Sequence, residues 1–268
     1  MPVHDDLEKT KIFRINEENN NYQNYLMKII KYNNANDIFV EFQDIYKAVV
    51  HGAYREFKSG KIKNPYFPEV YGMGMIGQKY KIRENDSDIK EYKIWHSMLQ
   101  RCFHQKTKEK YEYYKNVTCC EKWLLFENFY EWLHEQENFE KWLYGERWAL
   151  DKDILVKGNK IYSPDTCCLV PCSINSLFTK HDKARGELPI GVYYVKRNNT
   201  FKAQCNNPFQ NNKRIGLGEY NSPKIAFKKY KDYKEKIIRK VAEIEFAKNN
   251  ITRECYNAMM SYKVEITD

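Results

Sequence analysis

The fold prediction starts from two stretches near the end of the chain: GVYYVKRNNTFKAQCN at 191–206 and KRIGLGEYNSPKIAFKKY at 213–230. They predict three short strands at 190–196, 201–206 and 213–220, the first two joined by a tight turn at Asn198-Asn199. Ser222 and Pro223 suit the first positions of a helix that extends to about Lys248. Apolar residues recur along this helix every three or four positions, so one face can be buried. We therefore predict a three-stranded antiparallel sheet packed on one long helix.

Alternation along the strands separates two faces of this sheet. The side chains predicted to point at the helix are Val192, Phe201, Ala203, Cys205 and Leu217. The open face is predicted to carry Tyr193, Arg197, Lys202, Gln204, Asn206 and Arg214, with Lys196 at its margin. Such basic and amide side chains contact phosphates and base edges in DNA complexes. We therefore predict that this face binds DNA; the alternative is an ordinary polar sheet face.

The charge of the chain favours a polyanionic partner. The 268 residues carry a formal net charge of +9, and residues 176–240 contain sixteen Lys or Arg against five Asp or Glu. The length suits about two domains, and a hydrophobic fraction of 42% indicates a folded chain. No apolar run approaches the roughly 20 residues of a membrane span. The polar, acidic N-terminus MPVHDDLEKT does not resemble a secretory signal.

These features predict a cytoplasmic protein that does not associate with membranes. In that compartment the eight cysteines are expected to be thiols or metal ligands instead of disulfides.

The C-terminal residues resemble the AP2/ERF family of DNA-binding domains. The match runs through Gly191-Val192-Tyr193, Phe201-Lys202-Ala203-Gln204, Leu217-Gly218-Glu219-Tyr220 and the helix start at 222–230. The resemblance implies that the sheet lies in the major groove of double-stranded DNA. Members of that family carry more Arg and Trp on these strands, so a preferred base sequence cannot be carried over.

Residues 92–178 resemble the HNH-type endonucleases of phages and mobile elements. The match includes Tyr92-x-x-Trp95, Cys120-Glu121-Lys122-Trp123, Leu150-Asp151-Lys152-Asp153-Ile154, Gly158-Asn159, Tyr162-Ser163-Pro164 and Ile174-Asn175. The resemblance implies a ββα unit with strands at 149–155 and 167–171, a loop at 156–166 and a helix at about 172–179. It further implies that Asp151 and Asn175 hold one Mg²⁺ at a phosphodiester.

The chain departs from the HNH pattern at its general base, because Lys152 replaces the histidine of the family. A lysine can act as a base only if its pKa falls several units from about 10.4. Asp153 is an alternative base, although on a strand it would point away from Lys152. Three interpretations therefore stay open: an Mg²⁺ site with an unusual base, a binding fold without catalysis, and simple loop and cap chemistry.

Three cysteines, Cys102, Cys120 and Cys167, match cysteine positions of the same resemblance. They suggest a Zn²⁺ site, although the chain has no C-x-x-C pair of the kind that tetrahedral zinc normally uses. Buried free thiols are the alternative.

Changes of pattern along the chain predict an α+β protein of several parts. These are a small β-rich domain at 1–88, helices followed by the ββα unit at 89–180, a linker at 181–189, the AP2-like domain at 190–248 and a C-terminal tail at 249–268. We expect the first domain to be barrel-like around a hairpin of 25–32 and 37–42, and the second to contain helices from Tyr92 and over 124–143. Aromatic and basic residues interleave at 54–66, which suits either nucleic-acid contact or a domain's core and rim.

These predictions indicate a phage- or mobile-element-type DNA-binding protein related to HNH homing endonucleases. Whether it is also a metal-dependent nickase or endonuclease is open. Two other functions fit the same residues: a non-catalytic DNA-binding regulator, and a factor that binds a host protein through a degenerate nuclease fold.

Overall fold

The computed structural model describes residues 13–178, 187–266 and 268. They form a mixed α and β structure that divides into two compact units, with the boundary between Glu131 and Trp132. In these described ranges the sheets are small, and none closes into a barrel. No helix within them is long and apolar enough to cross a membrane.

The first unit begins with a four-stranded antiparallel sheet. Its strands follow chain order: β1 (Glu18–Asn20), β2 (Leu26–Asn34), β3 (Asp37–Phe42) and β4 (Val49–Gly52). One face is buried under α1 (Tyr54–Lys58), which contributes the fully buried Phe57. The predicted hairpin is present as β2 and β3. The barrel-like prediction is wrong, because β1 and β4 stay unpaired edges and four strands are too few to enclose a filled interior.

The rest of the first unit is mainly helical. It contains, in order, β5 (Arg83–Glu84), β6 (Ser87–Asp88), α2 (Lys90–Phe103), α3 (Gln105–Lys110), a 3-10 turn (Glu112–Tyr114), β7 (Thr118–Cys119), a second 3-10 turn (Glu121–Leu124) and α4 (Phe126–His134). The periodicity from Tyr92 predicted α2 correctly, since Trp95, Met98, Leu99 and Cys102 are fully buried. The unit boundary falls within α4.

The second unit contains the predicted nuclease-like and AP2-like segments. Its elements are α5 (Phe139–Tyr144), β8 (Trp148–Asp151), β9 (Ile161–Tyr162), β10 (Cys168–Pro171), α6 (Cys172–Phe178), β11 (Val192–Val195), β12 (Thr200–Asn207), a 3-10 turn (Pro208–Gln210), β13 (Lys213–Tyr220), α7 (Pro223–Ala247) and α8 (Arg253–Ser261). The single helix predicted over 124–143 is wrong, because α4 ends at His134 and α5 starts only after Asn138. The amide of Asn138 donates hydrogen bonds to the carbonyls of Leu169 and Asn250, which holds the chain in a turn there.

The three C-terminal strands form an antiparallel sheet in the order β11-β12-β13, and α7 packs on one side of it. Val192, Ala203 and Cys205 are buried against α7, and Phe201 and Leu217 pack around them. The predicted inward-facing side chains are thus confirmed. Sequence periodicity would also place Ile225 on the buried side of α7, but 51% of its surface is exposed.

One hydrophobic core joins this sheet to the segments before and after it. Ile154, Cys168, Val170 and Ile174 belong to the same buried cluster as Val192 and Ala203. Residues 249–268, predicted as a tail, contain α8, whose start is capped by the Thr252 hydroxyl accepting the Cys255 N–H. Cys255, Met259 and Val264 are buried in the same cluster. Residues 181–186 of the predicted linker lie outside the described residues.

Candidate nucleic-acid interface

The outer face of the C-terminal sheet carries its polar side chains in rows across the strands. Tyr193 lies opposite Lys202 in one row, with the Lys202 ammonium 6.0 Å from the centre of the tyrosine ring. Further along, Gln204 lies opposite Gly216, and Asn206 opposite Arg214. Opposed residues on one sheet face have Cβ atoms about 4.5–5.5 Å apart. These side chains therefore form one continuous polar surface.

This outer face is open to solvent. Asn206 and Arg214 are exposed, as are Lys196 and Arg197 in the turn after β11, while Tyr193, Lys202 and Gln204 are half-buried. A Cβ atom at Gly216 would lie 3.4 Å from Cε of Lys202, so the glycine leaves room for the lysine to lie across the strand. The structure thus sets Tyr193, Lys202, Gln204, Asn206 and Arg214 on one sheet face, and it places Lys196 and Arg197 in the turn at the end of β11.

Glu219 lies on the same face and was not among the predicted residues. It is opposite Lys202, and its carboxylate accepts hydrogen bonds from Asn198 Nδ2 (2.8 Å) and Thr200 Oγ1 (3.1 Å). These two donors, with Lys202 and Arg197 nearby, lower the pKa of Glu219 from its usual value. A fixed anion in a cationic face repels phosphate at that point and can accept a hydrogen bond from the amino group of cytosine.

The predicted nuclease-like unit has the expected order of elements, with β8 antiparallel to β10 and α6 packed against both. The first strand ends at Asp151, however, instead of at residue 155. Oδ1 of Asp151 accepts the main-chain N–H groups of Asp153 and Ile154, both at 2.8 Å, and this turns the chain out of the strand. Burial and the charge of Asp153 raise the pKa of Asp151 to about 6.

The two candidate bases lie next to each other. Lys152 Nζ is 3.4 Å from Asp153 Oδ2, so the expectation that Asp153 points away from Lys152 is wrong. The reason is that the turn at Asp151 removes the strand alternation on which the expectation relied. Asn159 closes the following loop, because its amide donates to the carbonyls of Lys152 and Ile161. Asn175 lies on α6.

The groups gathered around Asp151 fit a divalent cation poorly. Oδ1 already accepts two N–H groups, so a cation would have to bind the other oxygen or displace a donor. The neighbouring Lys152 side chain also supplies a positive charge beside Asp153. Among the residues that the structure describes, there is no group of three or more His, Cys, Asp or Glu placed to hold a metal ion.

The three cysteines predicted as zinc ligands lie in different surroundings. Cys102 is buried next to Cys119 in the first unit, and a hydrogen bond between their thiols raises the pKa of Cys119. Burial raises the pKa of Cys120, and it raises that of Cys167 in the second unit to about 12. Because zinc binds the thiolate form, the raised pKa values of Cys120 and Cys167 oppose zinc binding at these two thiols.

The interleaved aromatic and basic residues at 54–66 are largely engaged within the first unit. Phe57 is fully buried, and the Tyr54 hydroxyl donates to the Glu17 carboxylate. Lys58 pairs with Glu17 at 2.9 Å, and Lys63 pairs with Glu69. Of the two interpretations of this stretch, these contacts favour the core and rim of the domain.

A cleft of about 900 Å³ lies in the second unit, away from all the predicted site residues. Its walls include His134, Asn138, Phe139, Phe246 and Arg253. Oδ1 of Asn138 is buried without a hydrogen-bond partner, although the amide nitrogen of the same side chain donates twice. Sequence patterns gave no signal for this cleft, because its walls come from segments more than a hundred residues apart.

The outer face of β11–β13 is therefore the best-formed candidate interface: its cations and amides converge, whereas the groups around Asp151 engage one another. Comparisons of this chain with family models, with curated proteins and with solved structures find no match.

Proposed function

We propose that this chain binds double-stranded DNA through the outer face of β11–β13. The observation that supports the proposal is the register of this sheet, which sets Lys202, Gln204, Asn206 and Arg214 on one face, where Asn206 and Arg214 are exposed. The opposite side of the sheet is buried against α7, so the ribbon is backed by a rigid support.

The side chains on this face divide into two roles. Lys202 and the turn residues Lys196 and Arg197 are suited to phosphates, which give affinity but no sequence preference. Arg214 and its neighbour Asn206 are suited to base edges, where arginine pairs with guanine and asparagine with adenine. We assign the sheet to the major groove, since only that groove distinguishes all four base pairs.

The Arg214→Ala variant tests this proposal. Loss of a base contact is expected to weaken binding to the preferred duplex by about 10- to 100-fold. Fluorescence anisotropy with the full-length protein and a duplex selected from a random library measures the effect. Lys229→Ala is the matched control, since it removes one exposed charge from α7, the helix behind the sheet. It is expected to bind within about twofold of the unchanged protein.

The salt dependence separates the two kinds of contact. If Arg214 contacts a base, the slope of log K against log salt concentration stays the same in the variant. If it contacts a phosphate, the slope falls by about 0.9. Equal affinity of both variants for duplex DNA would contradict the proposal.

Cation-dependent nicking of DNA is a second candidate function. It is favoured by the antiparallel pair β8 and β10 followed by α6, with Asp151 at the strand end, which is the order of elements in the HNH resemblance. The contacts around Asp151 and Lys152 argue against it. Incubation of the protein with supercoiled plasmid and Mg²⁺ or Mn²⁺ tests this function. A nicking enzyme converts the plasmid to open circles, and the Asp151→Ala variant should lack that activity. Cleavage that survives this change lies elsewhere in the chain or in a contaminant.

A further inference from the structure

A second aromatic and basic surface lies in the first unit, at residues 106–115. Tyr111, Tyr113 and Tyr114 form a contiguous cluster there, which we call the tyrosine platform. The ring centres of Tyr113 and Tyr114 are 4.4 Å apart, and Tyr111 lies 5.6 Å and 6.0 Å from these two rings. The cluster follows α3 and is formed by the 3-10 turn Glu112–Tyr114.

Two of the three rings of the platform are exposed, and Tyr114 is half-buried. Tyr113 is 60% exposed and Tyr111 is 37% exposed, whereas Trp95 and Phe126 in the same unit are fully buried. Exposed apolar surface is unfavourable by about 25 cal/mol per Å². A contiguous patch of exposed rings is therefore typical of an interaction site, whereas single exposed rings are not.

Four lysines flank the platform in sequence: Lys106, Lys110 and Lys115, which are exposed, and Lys108, which is half-buried. None of the four forms an ion pair with any residue that the structure describes, unlike Lys58 and Lys63 in the same unit. Lys110 Nζ lies 5.1 Å from the centre of the Tyr111 ring, so charge and ring present one surface. The two acidic residues of the stretch, Glu109 and Glu112, leave a positive excess.

We propose that the tyrosine platform binds single-stranded nucleic acid. Unpaired bases stack on exposed rings whatever their identity, and a positively charged border holds the phosphates. A duplex offers no such faces, because each base pair is covered by its neighbours above and below. Tyr113, the more exposed ring, provides a face on which one base can stack.

This site shares no residue with the proposed duplex interface. The platform lies in the first unit and the three-stranded sheet in the second. Blocking the sheet with excess unlabelled duplex should leave the platform available.

The experiment measures binding of labelled oligothymidylate and oligouridylate to the full-length protein, in the presence of that excess duplex. Tyr113→Ala is expected to weaken binding to both by about 5- to 100-fold, the usual effect of losing one stacked base. Tyr113→Phe keeps the ring and should bind within about twofold of the unchanged protein. Tyr22→Ala, which removes a ring of similar exposure (64%) elsewhere in the unit, is the matched control and should bind normally.

Salt tests the basic border separately. The double variant Lys106→Gln, Lys110→Gln should lower the salt slope for single strands by about 1.4, or 0.7 for each lost phosphate contact. Tighter binding of oligothymidylate than of oligouridylate, or the reverse, would show whether the bound strand is DNA or RNA, and either result supports the proposal. Unchanged binding by Tyr113→Ala would overturn the proposal, and so would a loss in Tyr113→Phe or in Tyr22→Ala as large as the loss in Tyr113→Ala. Neither result would bear on Arg214 and the duplex.

Discussion

Asp151 does not have the surroundings of the cation ligand that the HNH resemblance implies. As a cation ligand, its carboxylate should be ionised and open. Instead it is 93% buried, caps the turn at 153–154 and has a pKa raised to about 6. The raised pKa means that the folded state prefers the protonated acid, so ionisation at neutral pH works against folding.

Asp151→Asn is therefore expected to stabilise the protein at neutral pH. The asparagine keeps an oxygen for the two N–H groups and removes the buried charge. The pKa of Asp151 is 3.8 in the unfolded chain and about 6 in the folded protein. Its protonation therefore stabilises the fold fully below pH 3.8, and this stabilisation is lost as the pH rises through 6. The variant should thus be more stable by about 1–3 kcal/mol above pH 6, with the difference disappearing near pH 4. Urea unfolding at several pH values measures it.

Asp165→Asn is the control, since Asp165 is an exposed residue of the same loop. Its effect on the free energy of unfolding should be within about 0.5 kcal/mol, as for most surface substitutions. If Asp151→Asn instead destabilises the protein at every pH, the ionised carboxylate is required by the fold, and the structural interpretation of its raised pKa fails.

At the scale of elements, the sheet could be predicted because alternation needs only local sequence. Val192, Ala203 and Cys205 are buried as the two-residue period requires. Alternation failed to place Glu219, because the register shifts between Lys202 and Gln204 and Gly218 takes a positive φ of 110°. Counted from Arg214, strict alternation puts Glu219 on the inner side; the extra residue of the bulge turns it outward.

Elements that end through side-chain hydrogen bonds could not be predicted in the same way. The turn between α4 and α5 depends on Asn138, whose partners at Leu169 and Asn250 lie far along the chain. The end of β8 depends on a local cap, in which the Asp151 carboxylate accepts the N–H groups of residues 153 and 154. The surrounding sequence pattern is typical of a strand and does not indicate this cap. The residues of the tyrosine platform, KTKEKYEYYK, were not predicted as a site from the sequence. The structure separates its lysines, which form no ion pair with a described residue, from Lys58 and Lys63, which do.

At the scale of the whole molecule, the buried cluster beneath the C-terminal sheet extends beyond the sheet and its helix. The AP2 resemblance suggests that residues 190–248 suffice for a stable sheet and helix. In the structure, the core of that sheet also contains Ile154, Cys168, Val170 and Ile174 from the nuclease-like segment, and Cys255 and Met259 from α8. Burial of one large apolar side chain is worth about 1.5–3 kcal/mol, and whole domains are stable by only about 5–15 kcal/mol. Loss of several such contacts is therefore comparable to the entire stability.

A fragment of residues 187–268 is accordingly expected to lack a cooperative unfolding transition, whereas a fragment of residues 132–268 should unfold cooperatively and bind duplex DNA. Circular dichroism during urea unfolding and anisotropy with duplex DNA measure the two properties. The shorter fragment keeps every residue of the proposed interface, so its failure to bind would be due to lost packing and not to lost contacts. If it folds and binds as well as the longer one, residues 148–178 do not support the sheet, and their nuclease-like order of elements would need a function of its own.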